Sequence, residues 1–223
     1  MAIIYSGTND GYAVAANANW VTLKNTTTAS AASASTGFSN TAIQGSKRTL
    51  RGGAIVYVIF RSFFEFDTSA ITTTPTAATL NISGRSNNSG DFFVIGSNQG
   101  ATLGTGDYDA MVLTGIPGSY DGSGGGSIES HVVKYSAEVT TWSTSGNNSI
   151  TLNSNALSQI ASASTFKVMC MESTHDMRDI IPTTTNMSGM IYANQAGTSS
   201  DPYLDVTEAV AVTDNATFFG CNF

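Results

Sequence analysis

The chain has 223 residues, 41% of them hydrophobic and only 11% charged, with a formal net charge of −7 and a pI near 4.5. That length suits one large all-β domain with a substantial core. Nine Lys and Arg against 16 Asp and Glu cannot build the basic stripe that neutralises phosphates, which argues against nucleic-acid binding.

The first residues, Met1-Ala-Ile-Ile-Tyr-Ser-Gly7, lack the basic and apolar regions of a signal peptide. No window approaches the ~20 apolar residues of a spanning helix, so a soluble product without membrane attachment is expected. Thr26–Thr36, a Thr/Ala/Ser stretch, reads as a loop. Ala54-Ile-Val-Tyr-Val-Ile-Phe60 is apolar at every position and predicts a central strand covered on both faces. It continues into Arg61–Phe66, where Ser62, Phe64 and Phe66 alternate with Arg61, Phe63 and Glu65. Arg61 and Glu65 then share a face, where they can pair with each other or with neighbouring strands.

A polar corner follows, and Ala78, Leu80 and Ile82 mark the inward face of the next strand. Ser86–Gly90 and Gly122–Ser127 read as turns or loop tips. The latter lacks the Gly-Lys-Ser/Thr ending of a phosphate loop. Ile150–Leu152 and Phe166–Val168 alternate as strands, and between them Asn153 or Ser154 caps one short helix over Ala156–Ala161. Tyr203–Val206 is a last strand, entered through Asp201-Pro202. The pattern predicts an all-β chain, a β-sandwich of jelly-roll type spanning 1–206, followed by a C-terminal extension over 207–223. An up-and-down barrel is the weaker alternative.

Glu172-Ser-Thr-His-Asp-Met-Arg-Asp179 is the densest cluster of ionisable groups. The carboxylates of Glu172, Asp176 and Asp179 with the imidazole of His175 could hold a hard cation such as Ca²⁺ or, as the weaker option, a transition metal, but no EF-hand series is present. The expected role is to brace a loop through backbone amides and Arg178. Asp107 and Asp109 form a carboxylate pair, but neighbours on one turn rarely face a glycosidic bond from two sides, so an Asx-type turn is expected. His131 and His175 are the only histidines, and neither adjoins a Gly-x-Ser-x-Gly elbow. No catalytic, cofactor or metal site is expected. Cys170 reads as a small buried hydrophobe, and a bridge to Cys221 stays open. Trp20, Tyr108, Tyr120 and Trp142 are the aromatics available to stack on a sugar, although most aromatics of a sandwich serve its core.

One segment also carries a resemblance. Arg61-Ser-Phe-Phe-Glu-Phe-Asp-Thr-Ser-Ala-Ile71, followed by Thr76–Leu80 and closed by Ser200-Asp-Pro-Tyr-Leu-Asp-Val206, resembles the carbohydrate-binding-module-like jelly rolls called DNRLRE domains. Asp10-Gly-Tyr12, Trp20, Tyr135–Ser143, Thr151–Leu157 and His175-Asp176 ahead of Pro182-Thr183 are similar to virion-associated proteins of marine tailed phages. The resemblance spans most of Tyr5–Val206 and implies a non-enzymatic virion component, made in the host cytoplasm. Its partners would be other virion proteins, a major capsid protein or tail components, and copies of itself as a homo-oligomer. Decoration or cementing of the head is expected first, because no coiled-coil heptads or separate attachment domain precede the sandwich. The alternative is a tail- or fibre-associated module that recognises a host-surface glycan. The extension beyond Val206 ends in Phe218, Phe219 and Phe223, which suit an anchor between subunits.

Overall fold

The computed structural model describes residues 1–34, 40–114, 126–191 and 200–209. Among them are eleven strands: β1 (Ala2–Tyr5), β2 (Gly11–Asn17), β3 (Ala31–Ala34), β4 (Asn40–Thr49), β5 (Ile55–Asp67), β6 (Ala77–Asn88), β7 (Phe92–Gly96), β8 (Asn147–Thr151), β9 (Thr165–Glu172), β10 (Thr185–Ile191) and β11 (Tyr203–Thr207). Every pairing between these strands is antiparallel. Two helices join them, α1 (Trp20–Lys24) and α2 (Ser154–Ser162), together with a 3₁₀ turn at Thr105–Asp109 and a single π-helical turn at Ser173–Met177. The chain is an all-β, jelly-roll-like sandwich, as its alternation predicts.

Two long strands organise it. The first half of β6 pairs with β11 and β8, and its second half pairs with β10. Gly84 sits where β6 changes partners, and a Cβ there would collide with the Ser143 carbonyl. β5 pairs with β4 and β2 along its first half and with β2 and then β9 along its second. β5 and β6 do not pair with each other. The polar corner between them carries the chain from one layer of the continuous eleven-stranded sheet to the other, fixed by Ser69 donating to Asp67 Oδ1 and by Thr68 Oγ1 donating to the Ala163 carbonyl at 2.7 Å.

Between the layers lies the inner core. Ala78, Leu80 and Ile82 of β6 meet Phe64 and Phe66 of β5, Phe166, Val168 and Cys170 of β9, and Leu204 and Val206 of β11. α2 closes it with Ala156 and Ile160, capped as expected by Asn153, whose side chain accepts from the amides of Asn155 and Ala156. Cys170 is free and buried, and burial raises its pKa, so the thiol stays protonated and inert.

A second core occupies the opposite face of the same sheet. Phe63 of β5, Phe93 and Ile95 of β7, and Met169 and Met171 of β9 point away from the inner core. They are roofed by Trp20 and Leu23 of α1, by Leu103, Tyr108, Met111, Ile128 and Val132 from the loops, and by Met177 of the π turn.

This layer changes three expectations. The wholly apolar half of β5 is doubly covered only at Val58 and Ile59: Ile55 is exposed and Val56, Tyr57 and Phe60 are partly so, whereas Arg61–Phe64 are all buried. The roof lies over the second half, where the sequence interrupts its apolar run with Arg61. The presumed loops at Thr26–Thr36 and Ser86–Gly90 contribute strands, β3 and the end of β6. Their outward residues are solvent-facing, so they carry no apolar alternation. α1 adds a second helix, of five residues, too short to show a helical period. Cys221 and the extension with Phe218, Phe219 and Phe223 lie outside the described residues, except for Thr207–Ala209.

Candidate functional site

The predicted ionisable cluster sits beneath this roof. β9 ends at Glu172, whose carboxylate accepts hydrogen bonds from the amides of Thr174, His175 and Asp176, at 3.0, 2.5 and 3.0 Å. A single carboxylate thereby takes three of the donors left open by a helical start and winds Ser173–Met177 into one wide turn. The turn rests on β4 at Gly45. A Cβ there would stand 2.5 Å from His175 Cβ and 2.9 Å from Glu172 Oε2, so the packing requires glycine.

The turn delivers Asp176 into the second core, where it is fully buried. Arg61 grips it with both ends of a fork: Nε donates to Oδ2 and Nη2 to Oδ1, each at 2.8 Å. Lys24, at the last turn of α1, reaches Oδ1 at 3.1 Å and also donates to the Asp176 carbonyl. Arg61 Nη1 donates to the Tyr108 carbonyl at 2.6 Å, and the guanidinium lies 4.1 Å from the centroid of the Tyr108 ring. Asp109 Oδ1 stands 3.8 Å from the same nitrogen. Two cations and two carboxylates thus form a formally neutral cluster.

The two buried carboxyl groups shift in opposite directions. Burial alone would raise the pKa of Asp176, but the charges of Arg61 and Lys24 and their hydrogen bonds outweigh it and hold the group below the usual Asp value. Burial raises Glu172, whose partners are backbone amides and His175 and include no full salt bridge. The signs follow. Stability contributed by Asp176 is fully present above its unfolded pKa of about 3.9 and is lost as pH falls through the lower folded value. Glu172 acts in the other sense, and stability declines as pH rises from its unfolded pKa through the raised one. Facing Asp176 raises the pKa of Arg61 against its burial, and burial raises that of Tyr108, so neither group titrates near neutrality.

Asp179 closes the assembly. It adopts a left-handed backbone, φ 58°, which Asp tolerates better than most residues. Its Oδ1 accepts from Trp20 Nε1 at 2.8 Å and its Oδ2 from the Gly126 amide. His175 Nδ1 donates to the Ile180 carbonyl at 2.6 Å. Arg178 points outward to Glu129 and Glu138, at 2.8 and 2.7 Å, and Lys134 joins Glu129 at 3.0 Å. Arg178 holds both glutamates below the usual carboxylate range.

The expected bracing therefore has different partners from those the sequence suggested. Arg61 pairs with Asp176 across the fold, while Glu65 accepts from Asn9 Nδ2 at 3.2 Å. Glu172, Asp176 and Asp179 spend their carboxylate oxygens on protein donors, and His175 spends its Nδ1 on a carbonyl. No group of three His, Cys, Asp or Glu side chains placed to hold a metal ion occurs among the described residues. Asp107 serves the backbone, but not as the expected Asx-type turn: its carboxylate reaches back to the Gly100 and Gly104 amides at 2.8 and 2.7 Å and fixes the start of the 3₁₀ turn. Trp20, Tyr108 and Trp142 are buried, so none of them offers a ring face to a sugar, and Tyr120 lies outside the described residues. Lys24 escaped the sequence reading. The available signals were Arg61, a cation inside a buried strand that demands a carboxylate, and Asn19, whose side chain accepts from the Thr22 amide and starts the helix carrying Lys24.

No protein-family model matches the chain, and no curated protein matches it.

Proposed function

We propose that this protein is a non-enzymatic building part of a tailed-phage particle, a head decoration or cement protein made in the host cytoplasm and assembled with other virion proteins. One observation carries the reading: the densest ionisable cluster is consumed as a brace. Asp176 is saturated by Arg61 and Lys24, Glu172 by three amides and Asp179 by Trp20 and Gly126. Such an arrangement rigidifies a part and leaves no activated nucleophile or acid–base pair in the cluster. The resemblance of Asp10-Gly-Tyr12, Trp20, Tyr135–Ser143 and Thr151–Leu157 to virion-associated phage proteins, that of Arg61–Ile71 and Ser200–Val206 to DNRLRE jelly rolls, and a chain poor in charge support the same role. Immunogold electron microscopy of purified particles with an antibody to this protein tests it. Gold on the capsid is the expected result, and particles without label would overturn the role.

A specific observation favours keeping glycan recognition as the second reading. Ser97, Asn98, Gln99, Tyr135, Gln159, Thr165 and Lys167 line an open polar hollow of about 330 Å³, of a size that suits a sugar unit. A glycan array with no bound spot would remove this alternative.

A further inference from the structure

The β4–β5 hairpin ends in an arm that is exposed among the described residues. Every residue from Arg48 through Ile55 is exposed, with Leu50 at 52% and Ile55 at 40%. Gly52 and Gly53 close its tip at φ 98° and 84°. Lys47, Arg48 and Arg51 lie on this arm, and no acidic residue occurs between Asn40 and Phe60. That leaves six basic against 16 acidic residues, a formal −10, for the remainder of the chain.

The opposite end of β5 has the complementary character. There Phe66 bridges to Ser6, and beside it β1 and β11 turn an outward row to solvent. Ile3 is 54% and Tyr5 46% exposed, Tyr5 lies 5.8 Å from Tyr203 between ring centroids, and Ile3 stands opposite Asp205. Asp201 and Glu208 flank β11, and β1, β8 and β11 contain neither Lys nor Arg. Glu208 is exposed and Asp201 and Asp205 are partly so, with Asp201 Oδ1 and Asp205 Oδ1 themselves buried. From Ile55 to Phe66 the strand spans roughly 36 Å at about 3.3 Å per residue, so the two patches cannot meet within one copy.

We propose that the basic, apolar arm of one copy docks on the acidic, apolar β1–β11 face of the next. The contact is head-to-tail, using two different surfaces, and so it closes into a ring or runs on as a filament, according to the rotation between copies. Opposite charges steer the encounter and set the register, which makes association salt-sensitive. The inference deepens the reading of this protein as an assembly part and rests on it.

Sedimentation of the purified full chain tests the contact with two variants, an arm variant (Lys47→Glu, Arg48→Glu, Arg51→Glu) and a face variant (Asp205→Lys, Glu208→Lys). At low salt the unaltered protein is expected at twice its 23.2 kDa or more, falling toward the protomer as salt rises. Each variant alone is expected as a monomer. An equal mixture is expected to regain association, because one intact arm meets one intact face and the reversed arm and reversed face are again opposite in charge. The milder changes Arg51→Ser and Ile3→Ser read the same contact as a weakened association should either multiple variant fail to fold. A monomeric unaltered protein, variants that still assemble, or a mixture that stays monomeric would each overturn the proposal. So would cross-links showing that residues 210–223 of the same chain cover Tyr5 and Tyr203. The role and the contact fail separately. A protein seen on particles yet monomeric in solution loses only the contact, and one that assembles in solution but is absent from particles loses only the role.

Discussion

Phe63 and Phe64 are neighbours in β5, yet they enter two cores built by different means. Phe64 joins an inner core of aliphatic and aromatic side chains drawn mainly from facing strands, where the pleat decides most of what is buried and α2 closes one side. Phe63 joins a core whose roof comes from a five-residue helix, loops and a π turn, with Lys24, Arg61 and Asp176 buried inside it. The inner core needs only apolar area in the right period. The outer one needs named partners, because short irregular segments bury too little apolar surface to hold their place by that alone. Charge buried in the roof is what ties it to the sheet. That contrast explains why an otherwise charge-poor chain retains a fully desolvated ionic cluster.

The sharpest way to break the contrast is to truncate the two rings separately. Phe64→Ala and Phe63→Ala should each cost about 3–5 kcal/mol, read from urea denaturation. Hydrogen exchange should tell them apart: Phe64→Ala lowers protection in β6 and β11, whereas Phe63→Ala releases α1 and the Thr105–Asp109 turn first. An identical exchange pattern in both variants would mean that the two cores are a single unit. Gly45→Ala drives a methyl group into His175 and Glu172 and should cost about 1–3 kcal/mol by thermal melting, with the loss concentrated in the outer layer. Asn153→Ala removes the cap of α2 and should cost about 1 kcal/mol, felt by the inner core alone. Least of all, Arg178→Met breaks a network whose members are about one-third exposed, and should cost less than about 1 kcal/mol, shrinking further in high salt.

The inner core was legible because Ala78, Leu80 and Ile82, or Phe166 and Val168, repeat at the period of a strand with one dry face. The cap of α2 was legible for a local reason, since Asn153 lies next to the donors it satisfies. The outer layer was largely hidden. Its central bonds join Arg61 to Asp176 and Lys24 to Asp176 across 115 and 152 residues, and no periodicity encodes such partners. Tyr108 was a candidate for sugar stacking, with a core role the stronger expectation for such rings; Arg61 lies against it and the roof closes over both. The cluster at Glu172–Asp179 was visible as a cluster, and bracing was the expected use. Its partners became visible only once the fold brought β5 and α1 beneath it.

The central claim is that Lys24, Arg61 and Asp176 act as one mutual brace. The direct test compares the stability at neutral pH of Asp176→Leu alone with that of Lys24→Met, Arg61→Leu and Asp176→Leu combined. The single change should cost about 3–5 kcal/mol, because it strands two buried cations, and the triple change should recover most of that loss. The single variant should also show less acid destabilisation below about pH 4 than the unaltered protein, since the depressed carboxyl that causes it is gone. A single variant as stable as the unaltered protein would contradict the claim, as would a triple variant no better than the single.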